Sequence, residues 1–251
     1  MKRTFSLLLA LMTLTLASSS CSFFRSAGMQ SRSHVLPEQR ISIEEVYSSR
    51  DHLGIYGRLY RPVGVKGRLP LVILSHGFGL LDQQSEGYAE LLTRMGYLCY
   101  TFDFNGGGRE SLSAGVTTDM SVLTEQADLN AVIDQLKRRS DVDPRYITLL
   151  GLSQGGLVSA LTAASRPDDI ASLILIYPAF SIPEMVRKQW GEYSKIPQVN
   201  TLWGMRLGEK YYKDVWNIDP YAVIGRFQGP VLILHGDKDR IVEQSVSDRA
   251  A

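Results

Sequence analysis

The sequence contains little cysteine, almost no net charge and no apolar run long enough to cross a bilayer. Each of these absences argues against a class of protein to which the chain could belong. Two cysteines among 251 residues give no disulfide framework. Lysine plus arginine (27) nearly balances aspartate plus glutamate (26), and no basic stripe stands out, so nucleic acid is not an implied partner. The sequence shows no internal repeat, no metal-ligand cluster and no cofactor motif, so we expect neither a metal nor a cofactor.

What the sequence does contain is the composition of an ordinary globular protein with a sizeable core. Hydrophobic residues make up 44% of the chain and charged residues 21%. This length fits one α/β domain, and we assign residues 41–251 to it. Composition leaves the oligomeric state open.

The first residues have the features of an export signal. Two basic residues precede an apolar run over residues 5–16, which small residues and Cys21 follow. Residues 1–21 therefore predict a signal peptide of the lipoprotein type, in which the acylated Cys21 tethers the protein to the cell-envelope membrane. Ser18 lies three residues before Cys21, where lipoprotein signals usually have a leucine. The alternative is a periplasmic or secreted protein. Residues 22–40 are predicted to be a tether.

Apolar runs and helical patterns alternate along the rest of the chain. Strands are predicted at Ile41–Tyr47, Ile55–Tyr60, Leu71–Leu74, Tyr97–Phe102, Tyr146–Leu150, Leu173–Ile176 and Val231–Leu234. Helices are predicted over residues 84–95 and 122–139 and from the glycines at 155–156 to Ser165, and a hairpin turn at Asp51–Gly54. The alternation predicts parallel βαβ units in a doubly wound sheet.

Residues 180–228 break this alternation. The stretch carries Trp190, Trp203, Trp216 and several tyrosines without clear periodicity, and it is longer than a plain crossover needs. We expect an insertion, or cap, that folds over the carboxyl ends of the strands, where ligands bind in such sheets. Its rings would suit an apolar or aromatic substrate group, or they would form the core of the insertion itself.

The strongest motif is Gly151-Leu152-Ser153-Gln154-Gly155, which lies between a predicted strand and a predicted helix. This G-x-S-x-G context is typical of the nucleophile elbow of α/β-hydrolases, in which a sharp turn lifts the serine hydroxyl above the sheet. The flanking glycines are needed because a Cβ would collide with the neighbouring strand and helix. Ser153 is therefore the predicted nucleophile.

A second motif, Ser75-His76-Gly77-Phe78-Gly79, follows the third predicted strand at the place of an oxyanion loop. The developing oxyanion needs preorganised N–H donors, and the backbone N–H groups of Phe78 and Gln154 are the predicted ones. His76 stands directly before this loop, which favours a structural hydrogen-bonding role over that of the base.

Two carboxylates follow the last predicted strand, in His235-Gly236-Asp237-Lys238-Asp239. A carboxylate there would orient a base histidine and stabilise its imidazolium form. We predict Asp239 as this acid, with Asp237 in reserve.

Together these motifs resemble the bacterial feruloyl/cinnamoyl-esterase branch of the α/β-hydrolases, and also the serine aminopeptidase-like hydrolases. The resemblance extends from about residue 41 to the end of the sequence and includes Phe102-Asp103-Phe104-Asn105 and the following glycines, Gly106–Gly108. It implies a serine carboxylesterase, with a small-molecule ester as substrate and an insertion after the sixth strand that shapes an acyl or aromatic pocket. The three glycines depart from the Gly-x-Gly form common in the family, and we expect a close-packed loop there.

The resemblance also implies a base histidine on a later segment than the acid, together with one more strand and helix. The sequence as given has histidines at 34, 52, 76 and 235, all before Asp239. We therefore expect a truncated chain with impaired catalysis. Two alternatives remain: cleavage of peptides or acyl-peptides, which Glu184, Glu192 and Glu209 do not settle, and a tethered binding protein that has lost catalysis.

Overall fold

A computed structural model describes residues 39–251. Seven strands of this part form a mostly parallel sheet, in the order Ile41–Glu45, Gly57–Pro62, Leu98–Phe102, Leu69–Ser75, Val142–Leu152, Ser172–Ile176 and Val231–Leu234. The strands are β1 (Ile41–Glu45), β2 (Ser48–Arg50), β3 (Leu53–Ile55), β4 (Gly57–Pro62), β5 (Leu69–Ser75), β6 (Leu98–Phe102), β7 (Val142–Leu152), β8 (Ser172–Ile176), β9 (Val199–Leu202), β10 (Met205–Gly208) and β11 (Val231–Leu234). The helices are α1 (Glu86–Arg94), α2 (Val122–Leu136), α3 (Gln154–Ser165), α4 (Ile182–Trp190), α5 (Glu209–Val215), α6 (Pro220–Ile224) and α7 (Gln244–Asp248). Short 3-10 turns lie at Asp82–Ser85 and Tyr193–Lys195.

The centre of the sheet is parallel and fully covered. Every residue of β5, β6 and β8 is buried, and β5 pairs in parallel with both β6 and β7. Continuous apolar runs are what parallel strands covered on both faces require. The predicted doubly wound α/β fold is therefore confirmed for the part of the chain that the structure describes.

Residues 41–62, where two strands are predicted, form four strands: β1 ends two residues before the predicted end, and β4 is shifted by two residues from the second predicted strand. The outer pieces, β1 and β4, pair antiparallel with each other at one edge of the main sheet, whereas β2 and β3 form a small sheet of their own. The turn between β2 and β3 is the predicted one, since Asp51 and His52 both have positive φ. The division arises because Tyr56 leaves the ladder and its N–H donates to Ser113 Oγ at 2.8 Å.

Two other predicted boundaries were wrong. The strand predicted from Tyr146 begins at Val142, because an irregularity in the pairing with β5 accommodates Pro144, which has no N–H to donate. The helix predicted to reach residue 139 ends at Leu136, and the cation of Arg139 pairs with Asp141 at 3.0 Å.

The insertion (residues 180–228) lies between β8, the sixth strand of the main sheet along the chain, and β11. It contains helices α4, α5 and α6 and the hairpin β9–β10, which pairs antiparallel. Its core is aromatic: Trp190 packs edge-on against Tyr212 at 5.6 Å, and Trp216 against Tyr193 at 5.7 Å between ring centroids. Ring packing explains why the stretch shows no helical or strand periodicity.

The predicted signal peptide and Cys21 lie outside the described residues. Across residues 39–251, none of the helices combines the length and apolar character that crossing a membrane requires. Cys99 is fully buried in β6, as its apolar surroundings in the sequence predict.

Candidate active site

Ser153 occupies a strained turn between β7 and α3. Its φ of 52° and ψ of −117° lie outside the conformations that a residue with a side chain normally adopts. The flanking glycines allow the turn: a Cβ on Gly151 would lie 2.3 Å from the carbonyl oxygen of Gly155, and one on Gly155 would lie 2.4 Å from the carbonyl oxygens of Ser75 and His76. The packing therefore forces the geometry that the motif predicts.

Backbone hydrogen bonds hold this turn against the end of β8. The N–H of Ser153 donates to the carbonyl of Ile176 at 3.0 Å, and its own carbonyl accepts from the N–H of Ala179 at 2.9 Å. Because the turn is fastened on both sides, the half-buried Ser153 side chain projects from a rigid support.

The loop after β5 lies directly against Ser153. A Cβ on Gly77 would be 3.3 Å from the Cβ of Ser153, and the N–H of Gly77 donates to Gln84 Oε1 at 2.7 Å. The N–H of Phe78 has no acceptor among the described residues. Gln154 begins α3, where the N–H groups have no intrahelical acceptor. Both predicted donors are thus available beside the serine.

His76 is a structural residue of this loop. The N–H of Phe104 donates to its Nε2 at 3.2 Å, so Nδ1 carries the proton and donates to the carbonyl of Gly77 at 2.8 Å. Complete burial lowers the pKa of His76, which keeps the ring neutral. Both ring nitrogens are used, and His76 is not placed to take a proton from Ser153.

The three glycines at 106–108 pack closely, as expected from the sequence. A Cβ on Gly106, whose φ is 66°, would lie 2.5 Å from the carbonyl oxygen of Val116, and one on Gly107 would lie 2.8 Å from the Cβ of Phe104. Close packing therefore explains why glycine is needed at these positions.

Asp239 lies in the loop after β11, and its carboxylate is already held. Oδ1 accepts from the N–H groups of Ile241 at 2.8 Å and Val242 at 3.0 Å. The side chains of Ile241 and Val242 line the same pocket as Ser153, whereas Asp239 itself does not. The reserve acid, Asp237, is exposed to solvent.

His235 is engaged elsewhere. Its Nε2 donates to the carbonyl of Val242 at 2.8 Å, and its Nδ1 forms a 2.6 Å hydrogen bond with Ser247 Oγ. Its Nε2 also lies 3.7 Å from Asp239 Oδ2. Among residues 39–251, neither this histidine nor His52 or His76 forms a hydrogen bond to Ser153.

The pocket at Ser153 is small and mostly apolar, with a volume of about 80 Å³. Phe78, Ser153 and Gln154 form one side, so the structure brings three of the predicted site residues together. The insertion contributes Ile182, Met185, Leu202, Trp203 and Tyr211 to the lining. A larger cavity of about 710 Å³ lies beyond Phe78 and Trp203, which line both. It also carries polar residues, Gln83, Gln84, Arg109 and Glu110.

Sequence reasoning missed one polar group beside the site, the carboxyl of Glu125. It is fully buried on α2 and accepts a hydrogen bond from Gln154 Nε2 at 2.8 Å. Burial raises the pKa of Glu125 to about 8, against the opposing effect of the bond from Gln154, so the carboxyl is protonated at neutral pH. The signal was present in the sequence, because Glu125 stands four residues before Leu129, on the apolar stripe of its helix.

Comparison with known proteins identifies relatives of this chain. The family model described as serine aminopeptidase, S33, matches residues 68–216. Human monoglyceride lipase is 30% identical over 124 residues, which cover 49% of this chain and 39% of the lipase. An uncharacterized protein of Mycobacterium tuberculosis is 29% identical over 233 residues, 90% of this chain and 72% of that protein.

Among solved structures, Est1E from Butyrivibrio proteoclasticus with bound ferulic acid matches with a TM-score of 0.74. The identity is 29%, and the match covers 81% of this chain and 83% of that one. The chain thus aligns with most of the Est1E structure but with only 39% of the human lipase.

Proposed function

Because the chain belongs to the serine aminopeptidase (S33) family of α/β-hydrolases, we propose that it is a serine hydrolase that cleaves carboxylic esters through an acyl-enzyme on Ser153. The observation that carries the proposal is the strained Ser153 turn with two free backbone N–H groups, those of Phe78 and Gln154, beside it. A hydroxyl next to paired N–H donors is the arrangement that acyl transfer requires.

In the first step, Ser153 Oγ attacks the ester carbonyl carbon while its proton passes to a base. The carbonyl oxygen becomes an oxyanion, which accepts hydrogen bonds from the N–H groups of Phe78 and Gln154. The tetrahedral intermediate collapses, the C–O bond to the alcohol breaks, and the alcohol leaves with the proton. Water then attacks the acyl-enzyme in the same manner and releases the acid and Ser153.

The proposed acid is Asp239, which would orient a histidine and stabilise its charged form. The loop N–H groups that bind Oδ1 fix the carboxylate, and Oδ2 stays available for the histidine. Since none of the histidines within residues 39–251 reaches Ser153, we expect this part of the chain to hydrolyse esters slowly on its own. The loss of one triad member still leaves about 10³-fold catalysis over water from the oxyanion hole and binding.

The acyl group of the substrate is proposed to be aromatic or otherwise apolar. The pocket at Ser153 is lined by Phe78, Trp203 and Tyr211, and its exposed surface is mainly carbon. Est1E, a structural neighbour, binds ferulic acid, and monoglyceride lipase is a sequence relative. Both names are compatible with an ester of an apolar acid.

Export and lipid anchoring at Cys21 remain a separate proposal, supported by the basic, apolar and small-residue pattern of residues 1–21. Metabolic labelling of the expressed protein with a fatty-acid analogue tests it. Label should enter the parent protein and not Cys21→Ser, and label in neither would contradict it.

The test of the esterase proposal compares the full chain with Ser153→Ala. We expect slow hydrolysis of p-nitrophenyl and feruloyl esters that Ser153→Ala loses, and Ser153-dependent labelling by a fluorophosphonate probe. Equal rates for the two proteins would remove Ser153 as the nucleophile. If the parent protein shows neither hydrolysis nor labelling, the binding protein without catalysis becomes the better description.

The family description also favours a second candidate, peptide cleavage by recognition of a free amino terminus. Of the acidic residues in the insertion, Glu192 pairs with Lys195 at 2.8 Å and Glu209 with Lys213 at 2.7 Å. Neither these two nor Glu184 lines the pocket at Ser153. Aminoacyl p-nitroanilides, tested beside the esters, distinguish the candidates. A higher kcat/KM for the anilides would replace the esterase proposal.

A further inference from the structure

A chain of three hydrogen-bonded side chains joins the insertion to the nucleophile turn. At one end of the Gln154 amide, Nε2 donates to Glu125 Oε2 on α2 at 2.8 Å. At the other end, Oε1 accepts from the hydroxyl of Tyr211 on α5 at 2.7 Å. The side chain of the residue after Ser153 is therefore held at both ends, by two elements that are distant in sequence.

All three members of this chain are buried: Glu125 and Gln154 are each 1% exposed, and Tyr211 is 3% exposed. Water does not reach these positions, so the loss of one partner leaves the other unsatisfied. Because the buried carboxyl of Glu125 is protonated at neutral pH, the three hydrogen-bonded side chains together carry no net charge.

Tyr211 also contacts the second proposed oxyanion donor. Its ring packs edge-on against the ring of Phe78, with 5.6 Å between the ring centroids and 61° between the planes. One residue of the insertion thus touches both residues whose N–H groups would bind the oxyanion, Gln154 through a hydrogen bond and Phe78 through a ring contact.

We propose that Tyr211 and Glu125 are positioning residues for the oxyanion hole: they hold the side chain of Gln154 and the ring of Phe78 so that the two backbone N–H groups converge on the substrate oxygen. Esters would then be hydrolysed efficiently only while the insertion is docked on the turn. This inference rests on the proposed esterase function.

The size of the expected effect follows from the sensitivity of such sites to geometry. Removal of one oxyanion donor costs about 10² to 10³ in rate, and a misplacement of about 1 Å costs about 10². Loss of the Tyr211 hydroxyl leaves the N–H groups of Phe78 and Gln154 in place, but it frees one end of the Gln154 side chain and so positions the Gln154 N–H less firmly. We therefore expect kcat to fall about tenfold, while KM changes by less than about twofold because the Tyr211 ring still lines the pocket.

The experiment measures Ser153-dependent hydrolysis of a p-nitrophenyl ester by the full chain, taken as the rate above that of Ser153→Ala. Tyr211→Phe is compared with the control Tyr100→Phe, in which a buried tyrosine of β6 loses its 2.8 Å hydrogen bond to the carbonyl of Val46. Both variants should lose similar thermal stability, but only Tyr211→Phe should lose kcat.

A second pair of variants keeps the test valid if Tyr211→Phe folds poorly. Glu125→Gln replaces the protonated carboxyl by a neutral side chain whose carbonyl oxygen can accept from Gln154 Nε2, so its kcat should stay within about twofold of the parent. Glu125→Leu has no acceptor and should lose about tenfold in kcat. Binding of a phenylboronic acid, whose tetrahedral adduct with Ser153 mimics the intermediate, should weaken in parallel with kcat.

The outcomes separate this inference from the proposal on which it depends. If Tyr211→Phe and Glu125→Leu keep the parent kcat while Ser153→Ala abolishes hydrolysis, the esterase proposal stands and the positioning role is wrong. If the parent protein shows no Ser153-dependent hydrolysis, both are wrong. A loss of kcat in Tyr100→Phe equal to that in Tyr211→Phe would also overturn the inference, because it would show a general effect of stability.

Discussion

The turn at Ser153 and the insertion line the same pocket, but different physical features determine their structures. The structure of the turn is determined by close packing of the backbone. A Cβ at Gly151 or Gly155 would lie only 2.3–2.4 Å from carbonyl oxygens, so only glycine fits there. The insertion is determined by side chains, through ring contacts such as that of Trp190 with Tyr212. The hydrogen bond between Gln154 and Tyr211 joins the two regions.

This difference predicts that the two regions fail in different ways. A change in the turn should strongly lower the stability of the fold, because main chain cannot move aside as a side chain can. A change in the insertion should mostly leave the fold intact and alter what the pocket accepts.

The largest effect is expected for Gly155→Ala. The new Cβ would lie 2.4 Å from two carbonyl oxygens of the neighbouring loop, so we expect a loss of about 3 kcal/mol or more in the free energy of unfolding. Urea unfolding followed by circular dichroism measures it. The matched control is Gly54→Ala, where nothing lies within 4 Å of the new Cβ and the loss should be below about 1 kcal/mol. Equal losses in the two variants would show that the turn is not determined by backbone packing.

The turn and the insertion also differ in how far the sequence predicts their structures. The turn was predictable because its determinants are local: a buried strand, two glycines at fixed spacing and a helix. The elements of the insertion were not, since ring contacts between residues far apart in sequence, such as Trp216 and Tyr193, leave no periodic pattern. For the same reason the sequence indicated that Gln154 follows the nucleophile but not that its side chain bonds to Glu125 and Tyr211.

The second prediction concerns the junction of the two regions and its dependence on pH. Burial raises the pKa of Glu125 to about 8, whereas an unfolded glutamate titrates near its ordinary value of about 4.3. Between these two values the folded state retains a proton that the unfolded state releases, so this group makes the protein less stable as the pH rises. We expect Glu125→Gln, which has no proton to lose, to gain stability relative to the parent by a few kcal/mol between about pH 5 and pH 8.

Urea unfolding of parent and variant at several pH values checks this difference. Taking the difference removes the contribution of His76, whose lowered pKa acts in the opposite direction in both proteins. The other ionisable groups that affect Glu125 are Asp128 on the same helix and Tyr211 on α5, and both are retained in the variant. A difference that stays constant from pH 5 to pH 8 would mean that Glu125 is ionised in the folded protein.

The smallest effect on stability is expected at Trp203, at the tip of the β9–β10 hairpin. Its side chain is 70% exposed, so Trp203→Ala should cost less than about 1 kcal/mol, and most of that would be its edge contact with Phe78. Yet the same ring lines both the small pocket at Ser153 and the larger cavity outside it. We therefore expect KM for a feruloyl ester to rise several-fold, while KM for an acetyl ester, which does not reach the ring, stays within about twofold.

The half-buried Trp216 provides the opposite control, because it packs on Tyr193 away from Ser153 and Trp216→Ala should lower stability without changing either KM. If Trp203→Ala reduced stability as much as Trp216→Ala and left both KM values unchanged, its ring would belong to the core of the insertion and not to the wall of the pocket.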